Sequence, residues 1–538
     1  MEKQIKIINN CRGMWANEIV DTIMESRGIK DVDNFLNPQL NDWLFSPSDL
    51  KNVDKCADII LDGVKDNKLF GIYADVDLDG ISSATIMQKY LQFLSIKPKI
   101  YANTGKTHGI TIDNLDKIIE DKISILIVVD SLDSSIDNYK KLHDNGIDVI
   151  VIDHHEINPK IPYDDYVTLV SSQRDYGNPY LCGAGTVWKV CMYIDSLLGT
   201  IEAKSLVDLA MAGTLSDMMN LSEDYMENRA IINAGLNRIQ NATLLKMGGS
   251  YEWNAKTISF GIAPKVNSSM RIRKNNCANK AFFSDDVDEI KRNIKLLNIC
   301  KEEQNKEVEK VLPSAIEQCE KQKDNKVLFV FIESKYDISG LLGNKLLEMF
   351  GGKPVIILKD RSDKCAGSMR APEGLDFKTL CEDTGLCFVA GHLEAAGIEI
   401  DYDKFEDFRI AIEDKLSNVE FVSEIEVDAQ IDVADVGNNL ISKTKMIDRI
   451  SGTGFPPLRF LIEIDDFTVE KLSNGKHLGI RSGNMLFIKW NFNDEKLYEE
   501  LTDASLFGET LQCWGTLDGS YIYKVYNKMI LDDFKIKN

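Results

Sequence analysis

The chain has 538 residues, of which 44% are hydrophobic and 28% are charged, and its formal net charge is −22. At roughly 150 residues per domain, this length predicts three or four domains. The negative charge excludes a protein that coats nucleic acid loosely, because lysine and arginine supply that non-specific affinity, so any nucleic acid must meet a local basic surface. Eleven scattered cysteines without a C-x-x-C pair, no transmembrane run and no secretory signal predict a cytoplasmic protein.

The first domain-sized pattern follows an N-terminal segment, residues 1–45, which is expected either to fold against the next domain or to form a separate arm. Short apolar runs rich in β-branched residues then predict buried parallel strands at 69–73, 99–102, 125–129 and 148–152. Helical stretches lie between them, among them 83–95 and 113–121. This alternation predicts a doubly wound α/β domain, in which ligands bind beyond the carboxyl ends of the strands.

A long helix is expected after a mostly helical stretch that runs to about residue 250. Apolar residues recur with 3,4 spacing from position 287 to 311, but Lys301 and Gln304 interrupt the stripe. We therefore expect a connecting helix that lies on two domains, and not a coiled coil. Pro313 is expected to end or kink this helix.

Two further domains are predicted after the helix. Apolar runs at 326–332 and 354–358 flank a helical segment, which indicates a second, smaller α/β domain. Alternating strands with glycine turns then indicate a small β-barrel, with strands at 460–472, 479–481, 485–492 and 520–525.

Three carboxylates occur in Asp75-Val-Asp77-Leu-Asp79-Gly80, directly after the first predicted strand. In an extended chain they would share one face, where like charges repel strongly unless a cation lies among them. A solvated acidic turn is the structural alternative. An EF-hand loop is excluded, because its twelfth position must be glutamate and Ile86 stands there. The segment therefore predicts metal binding.

Further candidate ligands follow other apolar segments. Asp130 ends the third predicted strand, Asp153-His154-His155 ends the fourth, and Asp217 follows a small, apolar segment. Each has a structural alternative: a helix N-cap for Asp130, a surface turn for the histidines, and hydrogen bonding to Thr214 or Ser216 for Asp217. Acids at three strand ends nevertheless indicate divalent cations held by oxygen and nitrogen ligands.

The order of these motifs resembles that of a known family. D-x-D-x-D-G, V-D, D-H-H, G-T-x-x-D and the segment Gly391-His392-Leu-Glu-Ala-Ala-Gly397 are similar to the DHH phosphoesterase superfamily with its DHH-associated domain. Within it, the chain resembles the RecJ single-stranded-DNA exonucleases over roughly residues 45–538. The likeness extends to other segments: Leu181-Cys-Gly-Ala-Gly185, Asn228-Arg229, Phe260-Gly-Ile-Ala-Pro-Lys-Val-Asn267 with Arg271, Gly367-Ser-Met-Arg370, and a C-terminal barrel similar to the family's OB-fold.

The resemblance implies a domain organisation. After the N-terminal segment, residues 46–283 would form the DHH catalytic domain and residues 284–322 the connecting helix. Residues 323–420 would form the DHH-associated, substrate-binding domain, and residues 421–538 an OB-fold-like domain that binds nucleic acid.

The resemblance also implies roles for single residues. Two Mn²⁺ or Mg²⁺ ions would be held by Asp75, Asp77, Asp79, Asp130, His154 and Asp217, with Asp130 as the bridge. His155 would face the substrate phosphate, and it joins Asp77, Asp79, Asp130, His154 and Asp217 in the catalytic set. The phosphates of the 5′ end would be bound by Asn267, Arg271, Ser368, Arg370, Gly391 and His392.

Two groups of residues are candidates for contacts with the DNA strand. Lys265, Arg271, Arg273 and Lys274 form the most basic stretch in the mid-chain, with a solvated loop as the alternative. In the barrel, basic and aromatic side chains could bind and stack on bases, although most of the aromatics are equally expected in the core. These candidates are Phe460, Lys476, His477, Arg481, Phe487 and Trp490.

The chain departs from the family pattern at three places. Ala390 replaces the first glycine of the usual G-G-H, Ser131-Leu132-Asp133 replace a glycine-containing turn, and Ser268-Ser269-Met270 replace smaller residues. These changes leave the predicted metal ligands intact. They bear on the length of the substrate, the polarity of degradation and the reaction rate.

The resemblance implies a RecJ-like 5′→3′ exonuclease that hydrolyses single-stranded DNA to 5′-mononucleotides with two cations, in recombination or repair. Its partners would be a single-stranded-DNA-binding protein or a helicase. One alternative is a phosphodiesterase acting on short oligoribonucleotides or cyclic dinucleotides, although such enzymes usually lack the barrel. The other is a catalytically silent replication or repair scaffold, which would have lost ligands.

Overall fold

The computed structural model describes residues 4–103, 109–249, 252–272, 276–361, 363–421, 424–492, 494–520, 523 and 526–537. These residues fall into two compact units. The larger unit comprises the described parts of 7–267, 275–295 and 426–538, and the smaller unit those of 1–6, 268–274 and 296–425. No helix of the described residues is both long and apolar enough to cross a membrane.

The N-terminal segment contains strand β1 (Gln4–Asn10) and three helices, Ala16–Ser26, Val32–Leu36 and Leu40–Trp43. From Ile7 onward it belongs to the larger unit, so this part is not a separate arm. Asn233 donates hydrogen bonds of 3.0 Å to Asn37 Oδ1 and to the Pro38 carbonyl. Arg229 Nε donates to the Phe35 carbonyl at 3.0 Å. These bonds fix the end of the segment to the helix Met226–Asn237.

A five-stranded parallel sheet forms the centre of the larger unit. Its strands are β2 (Phe70–Ala74), β3 (Lys99–Ala102), β4 (Ile125–Val129), β5 (Asp148–Asp153) and β6 (Thr168–Ser171), in the order β3-β2-β4-β5-β6. β2 and β4 are buried at every position, as expected for strands covered on both faces. The predicted doubly wound α/β fold is confirmed. The strand order reverses between β2 and β4, where such folds bind ligands.

Helices flank this sheet and continue after it. The helix Val53–Lys65 precedes β2, and those between the strands are Leu78–Phe93, Ile112–Glu120 and Asp137–Asp144. Those that follow are Gly183–Leu198, Val207–Ser216, Met226–Asn237, Ala242–Gly248, a π-helical turn Thr257–Ile262, Ala263–Ile272 and Cys277–Phe283.

The helix after β2 begins earlier than predicted, and this changes the acidic segment. Asp77 Oδ1 accepts the backbone N–H groups of Asp79 and Gly80, both at 3.1 Å, and so caps the helix that begins at Leu78. The expectation that Asp75, Asp77 and Asp79 share one face of an extended chain is therefore wrong. The capping bonds turn the backbone between the first and third carboxylates.

The long helix runs from Val287 to Glu320 and continues through Pro313, so the expectation that this proline ends the helix is wrong. A proline removes one backbone N–H and crowds the preceding turn. Val311 and Ala315, which flank it, are buried in an apolar core of the smaller unit, and this packing outweighs the loss.

The smaller unit is a second α/β arrangement. Its strands are β7 (Leu328–Phe331), β8 (Val355–Arg361), β9 (Lys364–Arg370), β10 (Cys387–Gly391) and β11 (Ala395–Asp401), in the order β10-β11-β9-β8-β7. Only β7 and β8 pair in parallel among these strands. Its further helices are Ser339–Met349, Phe377–Glu382 and Phe405–Lys415.

The C-terminal part forms a mostly antiparallel sheet. Its strands are β12 (Glu424–Gln430), β13 (Phe460–Ile464), β14 (Thr468–Leu472), β15 (His477–Ser482), β16 (Met485–Lys489), β17 (Thr510–Asp518) and β18 (Lys528–Lys537), with helices Asn438–Asp448 and Glu495–Phe507. β1 adds to this sheet beside β12. The sheet is consistent with the predicted OB-fold. The strand predicted at 460–472 is two strands, and the one predicted at 520–525 falls mainly on residues 521, 522, 524 and 525, which lie outside the described residues.

Candidate metal centre

The candidate ligands lie at one edge of the parallel sheet. Asp75 directly follows β2, Asp130 directly follows β4, and Asp153 is the last residue of β5. Because the strands are parallel, their carboxyl ends meet at the same edge. The first two acids therefore flank the point where the strand order reverses.

Asp79 is fully buried and held by the start of a helix. Its Oδ2 accepts the N–H of Gly183 at 2.8 Å and its Oδ1 that of Ala184 at 2.9 Å. These are the first residues of the helix Gly183–Leu198, whose positive end favours a carboxylate. Burial nevertheless raises the pKa of Asp79, although His154 opposes the shift. The site therefore holds Asp79 firmly without fully compensating its negative charge.

Asp130 lies in the left-handed region of the backbone, at φ 53°, and is 2% exposed. Burial, followed by the neighbouring carboxylates of Asp79 and Asp77, raises its pKa well above the ordinary value. Its Oδ1 is 3.1 Å from His154 Nε2, yet it accepts no well-aligned hydrogen bond from the described residues. A buried carboxylate oxygen without such a bond is costly unless a cation binds it.

His154 joins carboxylates from different parts of the chain. Its Nε2 lies 3.1 Å from Asp130 Oδ1, 3.4 Å from Asp217 Oδ2 and 3.7 Å from Asp79 Oδ2. These distances bring together four of the six predicted ligands around one imidazole nitrogen.

The candidate donors form overlapping groups, in each of which one atom per residue lies within 4.8 Å of the others. One group is Asp75, Asp77 and Asp130, a second is Asp79, His154 and Asp217, and a third is Asp130, Asp153, His154 and His155. All six predicted ligands are thus brought together. Carboxylate oxygens with an imidazole nitrogen suit Mn²⁺, and the carboxylates suit Mg²⁺, so the residues present fit divalent cations.

Asp153 organises the two histidines. Its Oδ1 accepts the backbone N–H of His154 at 2.6 Å and lies 2.7 Å from His155 Nδ1, while its Oδ2 accepts the N–H of Leu132 at 2.6 Å. The negative charge of Asp153 raises the pKa of His155 to about 10, against the effect of burial. Burial alone would raise the pKa of Asp153, but the charge of His155 lowers it below its ordinary value. His155 is therefore a cation at neutral pH in the metal-free site.

Asp217 is not held by the neighbouring hydroxyl groups that were its structural alternative. Thr214 Oγ1 donates to the Ala210 carbonyl at 2.8 Å and Ser216 Oγ to the Gly213 carbonyl at 3.0 Å. Burial and then the charge of Asp79 raise the pKa of Asp217 well above the ordinary value. Like Asp130, this acid lies in surroundings that disfavour its charged form in the absence of a cation.

Two glycines shape the site, although in the sequence they are recognisable only as members of two motifs. A Cβ atom on Gly183 would lie 2.7 Å from Asp130 Oδ1, and one on Gly213 would press on Asp79 Oδ1 well inside van der Waals contact. Both glycines allow a helix backbone to approach a candidate ligand. Their positions in the sequence carry no signal of this need, because the crowding comes from residues far away in the chain.

The predicted phosphate-binding residues are divided between the two units. In the smaller unit, Ser368 and Arg370 lie on β9, where Ser368 Oγ is 2.9 Å from Ser339 Oγ and Arg370 Nε donates to Asn344 Oδ1 at 2.7 Å. Burial, and then the positive charge of Arg271, lowers the pKa of Arg370. The positive charge of Arg271 therefore acts on the Arg370 guanidinium.

The glycine loop of the smaller unit has the geometry of a tight turn. Gly391 has φ 135°, and a Cβ atom there would lie 2.8 Å from Ala396 Cα. The backbone N–H of His392 donates to the Ala395 carbonyl at 3.2 Å, and the His392 side chain is exposed. The loop thus presents an imidazole on a short β-hairpin.

Asn267 belongs to the larger unit and shares the helix Ala263–Ile272 with Arg271. Its Oδ1 is buried without a hydrogen bond from the described residues. Lys265 lies on the same helix. Arg273 and Lys274 of the proposed basic stretch lie outside the described residues.

The C-terminal candidates separate into core and surface. Phe460 and Phe487 are fully buried, so they belong to the core and cannot stack on bases. Trp490 is 36% exposed and meets the ring of His477 edge-on at 4.6 Å, and Lys476 is exposed. Arg481 Nε donates to Glu470 Oε1 at 2.7 Å.

Comparison with known proteins agrees with the fold. Residues 70–214 match the DHH family, N-terminal domain. The chain is 28% identical to the single-stranded-DNA-specific exonuclease RecJ of Bacillus subtilis (strain 168), over 82% of this chain and 58% of that protein. It is also 28% identical to YorK of the same organism, an SPbeta prophage-derived protein provisionally named a single-strand DNA-specific exonuclease, over 96% of this chain and 93% of YorK.

A solved structure shows the same fold along nearly the whole chain. The crystal structure of RecJ from Thermus thermophilus in complex with Mn²⁺ has a TM-score of 0.77 at 20% identity, and the match covers 99% of this chain and 80% of that one. The match at residues 70–214 thus identifies a DHH-family domain in this chain. The predicted resemblance to the RecJ family is confirmed.

Proposed function

We propose that the protein is a RecJ-like metal-dependent nuclease that hydrolyses single-stranded DNA from the 5′ end to 5′-mononucleotides. The observation that carries this proposal is the position of Asp130. Its buried carboxylate belongs to the group with Asp75 and Asp77, and its Oδ1 lies 3.1 Å from His154 of the group with Asp79 and Asp217. A carboxylate that lies between two donor groups is placed to bridge the two cations of a phosphoesterase that uses a pair of metal ions.

Asp75, Asp77 and Asp130 would hold one cation, and Asp79, His154 and Asp217 the other, with Asp130 as the bridge. When bound, the pair supplies an activated water and neutralises charge on the attacking and leaving oxygens of an in-line displacement. Asp153 has a supporting role: through its bond to His155 and to the Leu132 N–H it holds that ring and the turn after Asp130 in place.

The remaining residues would bind and orient the substrate phosphate. His155, a cation whose side chain is 38% exposed, can donate a hydrogen bond to a phosphate oxygen. Arg271 and Arg370 suit phosphate oxygens through their planar guanidinium groups, with Ser368 as a further donor. Asn267, Gly391 and His392 complete the proposed set.

We further propose the five-part organisation of the chain given above, from the N-terminal segment to an OB-fold-like domain. Lys476, His477, Arg481 and Trp490 remain its candidates for contact with the strand. We place the protein in the cytoplasm, in recombination or repair, acting with a single-stranded-DNA-binding protein or a helicase. A silent scaffold is disfavoured because all six candidate ligands are retained, and the C-terminal sheet favours DNA over short oligonucleotides.

The test is digestion of single-stranded DNA labelled at either end, with Mn²⁺, Mg²⁺ or chelator. The full chain should release labelled mononucleotides first from the 5′ end, and only with metal. Asp130→Ala should abolish this release, and Asp116→Ala, which removes an exposed carboxylate on the helix Ile112–Glu120, should not. Cleavage of short oligonucleotides alone would reassign the substrate. No cleavage of either by folded protein would refute a nuclease.

A further inference from the structure

The candidate ligand Asp217 is followed by a loop with defined geometry. We call residues 217–222 the Asp217 loop. Asp217 ends the helix Val207–Ser216, Met218 has φ 53°, and the N–H of Met219 returns to the Thr214 carbonyl at 3.1 Å. The Asn220 Oδ1 accepts the N–H of Ser222 at 2.9 Å. The loop is thus a tight reversal that begins at a ligand.

The far side of this loop is held by the C-terminal part of the chain, within the larger unit. The N–H of Leu221 donates to the Thr453 carbonyl at 2.8 Å. Gly454 has φ 75°, and a Cβ atom there would lie 2.9 Å from Asn220 Cγ and even closer to its Oδ1. The backbone around Gly454 therefore packs directly on the Asn220 side chain, with no room for a methyl group.

A fully buried arginine ties the same two segments together. Arg229 Nη1 donates to the carbonyls of Leu221 and Ile450, both at 3.1 Å. Its guanidinium also stacks over the ring of Phe35, 3.5 Å from the ring centroid. Loss of the guanidinium would leave the Leu221 and Ile450 carbonyls without this donor and weaken the link between the two segments.

We propose that the segment 450–454, together with Arg229, positions Asp217 for metal binding, so that metal affinity depends on contact with the C-terminal domain. The Asp217 side chain is 32% exposed and stands at the start of the loop, so its position depends on how the loop is held. Groups that hold a metal ligand in place commonly contribute tenfold or more to metal affinity. The C-terminal domain would therefore support the cations as well as bind the strand. This inference rests on the proposed function.

The test measures Mn²⁺ affinity and stoichiometry by calorimetry on the full chain, with thermal unfolding of each protein. Gly454→Ala should weaken binding of one ion by about tenfold. Gly508→Ala is the matched control, since Gly508 has φ 70° and an added Cβ would meet nothing within 4 Å. It should bind Mn²⁺ like the parent. In the double variant Gly454→Ala, Asn220→Ser, a smaller side chain replaces the crowded asparagine. This variant should regain much of the Mn²⁺ affinity.

A second variant covers the case in which Gly454→Ala fails to fold. Arg229→Lys keeps the charge but cannot reach the Leu221 and Ile450 carbonyls together, so it should weaken the same ion. Parental Mn²⁺ affinity in either folded variant would overturn the inference, as would an equal loss in Gly508→Ala. If the parent itself binds no Mn²⁺, the proposed function fails instead.

Discussion

Gly183 and Asp130 approach each other so closely that a Cβ atom on the glycine would lie 2.7 Å from Oδ1 of the aspartate. The same glycine donates its N–H to Asp79 at 2.8 Å. One residue without a side chain therefore allows a helix N-terminus to reach one candidate ligand while leaving room for another.

Gly183→Ala should weaken metal binding. The methyl group must displace either the Asp130 carboxylate or the start of the helix, so we expect about a tenfold to hundredfold loss in Mn²⁺ affinity. Calorimetry on the full chain measures this. Gly437→Ala is the control, because Gly437 also precedes a helix and an added Cβ there meets nothing within 4 Å. Unchanged affinity in Gly183→Ala would contradict the site as described.

The turn after Asp130 is held by two tyrosines. The N–H of Asp133 donates to the Tyr139 hydroxyl at 2.9 Å, and the Tyr163 hydroxyl donates to the Asp133 carbonyl at 2.8 Å. Asp133 Oδ1 in turn accepts the N–H of Ile110 at 2.7 Å. This is the segment that departs from the family's glycine-containing turn, and these bonds fix its backbone three residues after Asp130.

Tyr139→Phe should lower the free energy of unfolding by about 1–3 kcal/mol, because it leaves the buried N–H of Asp133 without an acceptor. It should also weaken Mn²⁺ binding, since the Asp130 turn loses a constraint. Tyr101→Phe is the matched control: it removes a hydroxyl that donates to Asp121 at 2.6 Å, away from the turn. Equal Mn²⁺ affinities in the two variants would refute the role given to Tyr139.

The His155–Asp153 pair predicts a pH dependence in the metal-free protein. Asp153 raises the pKa of His155 from 6.5 to about 10. The pair's stabilisation is therefore complete below the unfolded-state pKa of 6.5 and is lost as pH rises through about 10. Asp153→Asn should remove this loss between neutral and alkaline pH.

Urea unfolding of parent and Asp153→Asn in chelator, at several pH values, measures the difference. A histidine NMR titration should show the His155 pKa falling towards its ordinary value in the variant. A His155 that titrates near 6.5 in the parent would contradict the assignment of its charge.

The sequence predicts well those features that local pattern determines. Continuous β-branched runs indicate the parallel strands, and acids directly after them indicate the site, because a parallel sheet necessarily brings its carboxyl ends together. The helix start at Leu78 is not predicted, since Asp77 serves both as a cap and as a candidate ligand.

Other features depend on residues distant in the chain and have no local pattern. The close approaches at Gly183 and Gly213 come from ligands on other elements. The sequence does not distinguish the buried Arg229 from a surface arginine, because its carbonyl partners lie on other segments. Phe460 and Phe487 are aromatic residues of the kind that stack on bases, but both side chains are buried in the core.

In the proposed site, Asp130 is shared by two cations. Mn²⁺ titration of the full chain and of Asp130→Asn, which keeps the size but not the charge, tests it most directly. The parent should bind two ions, and the variant should lose affinity at both together. If Asp130→Asn loses one ion and binds the other with parental affinity, Asp130 is not a bridge, and if it binds two like the parent, it is not a ligand.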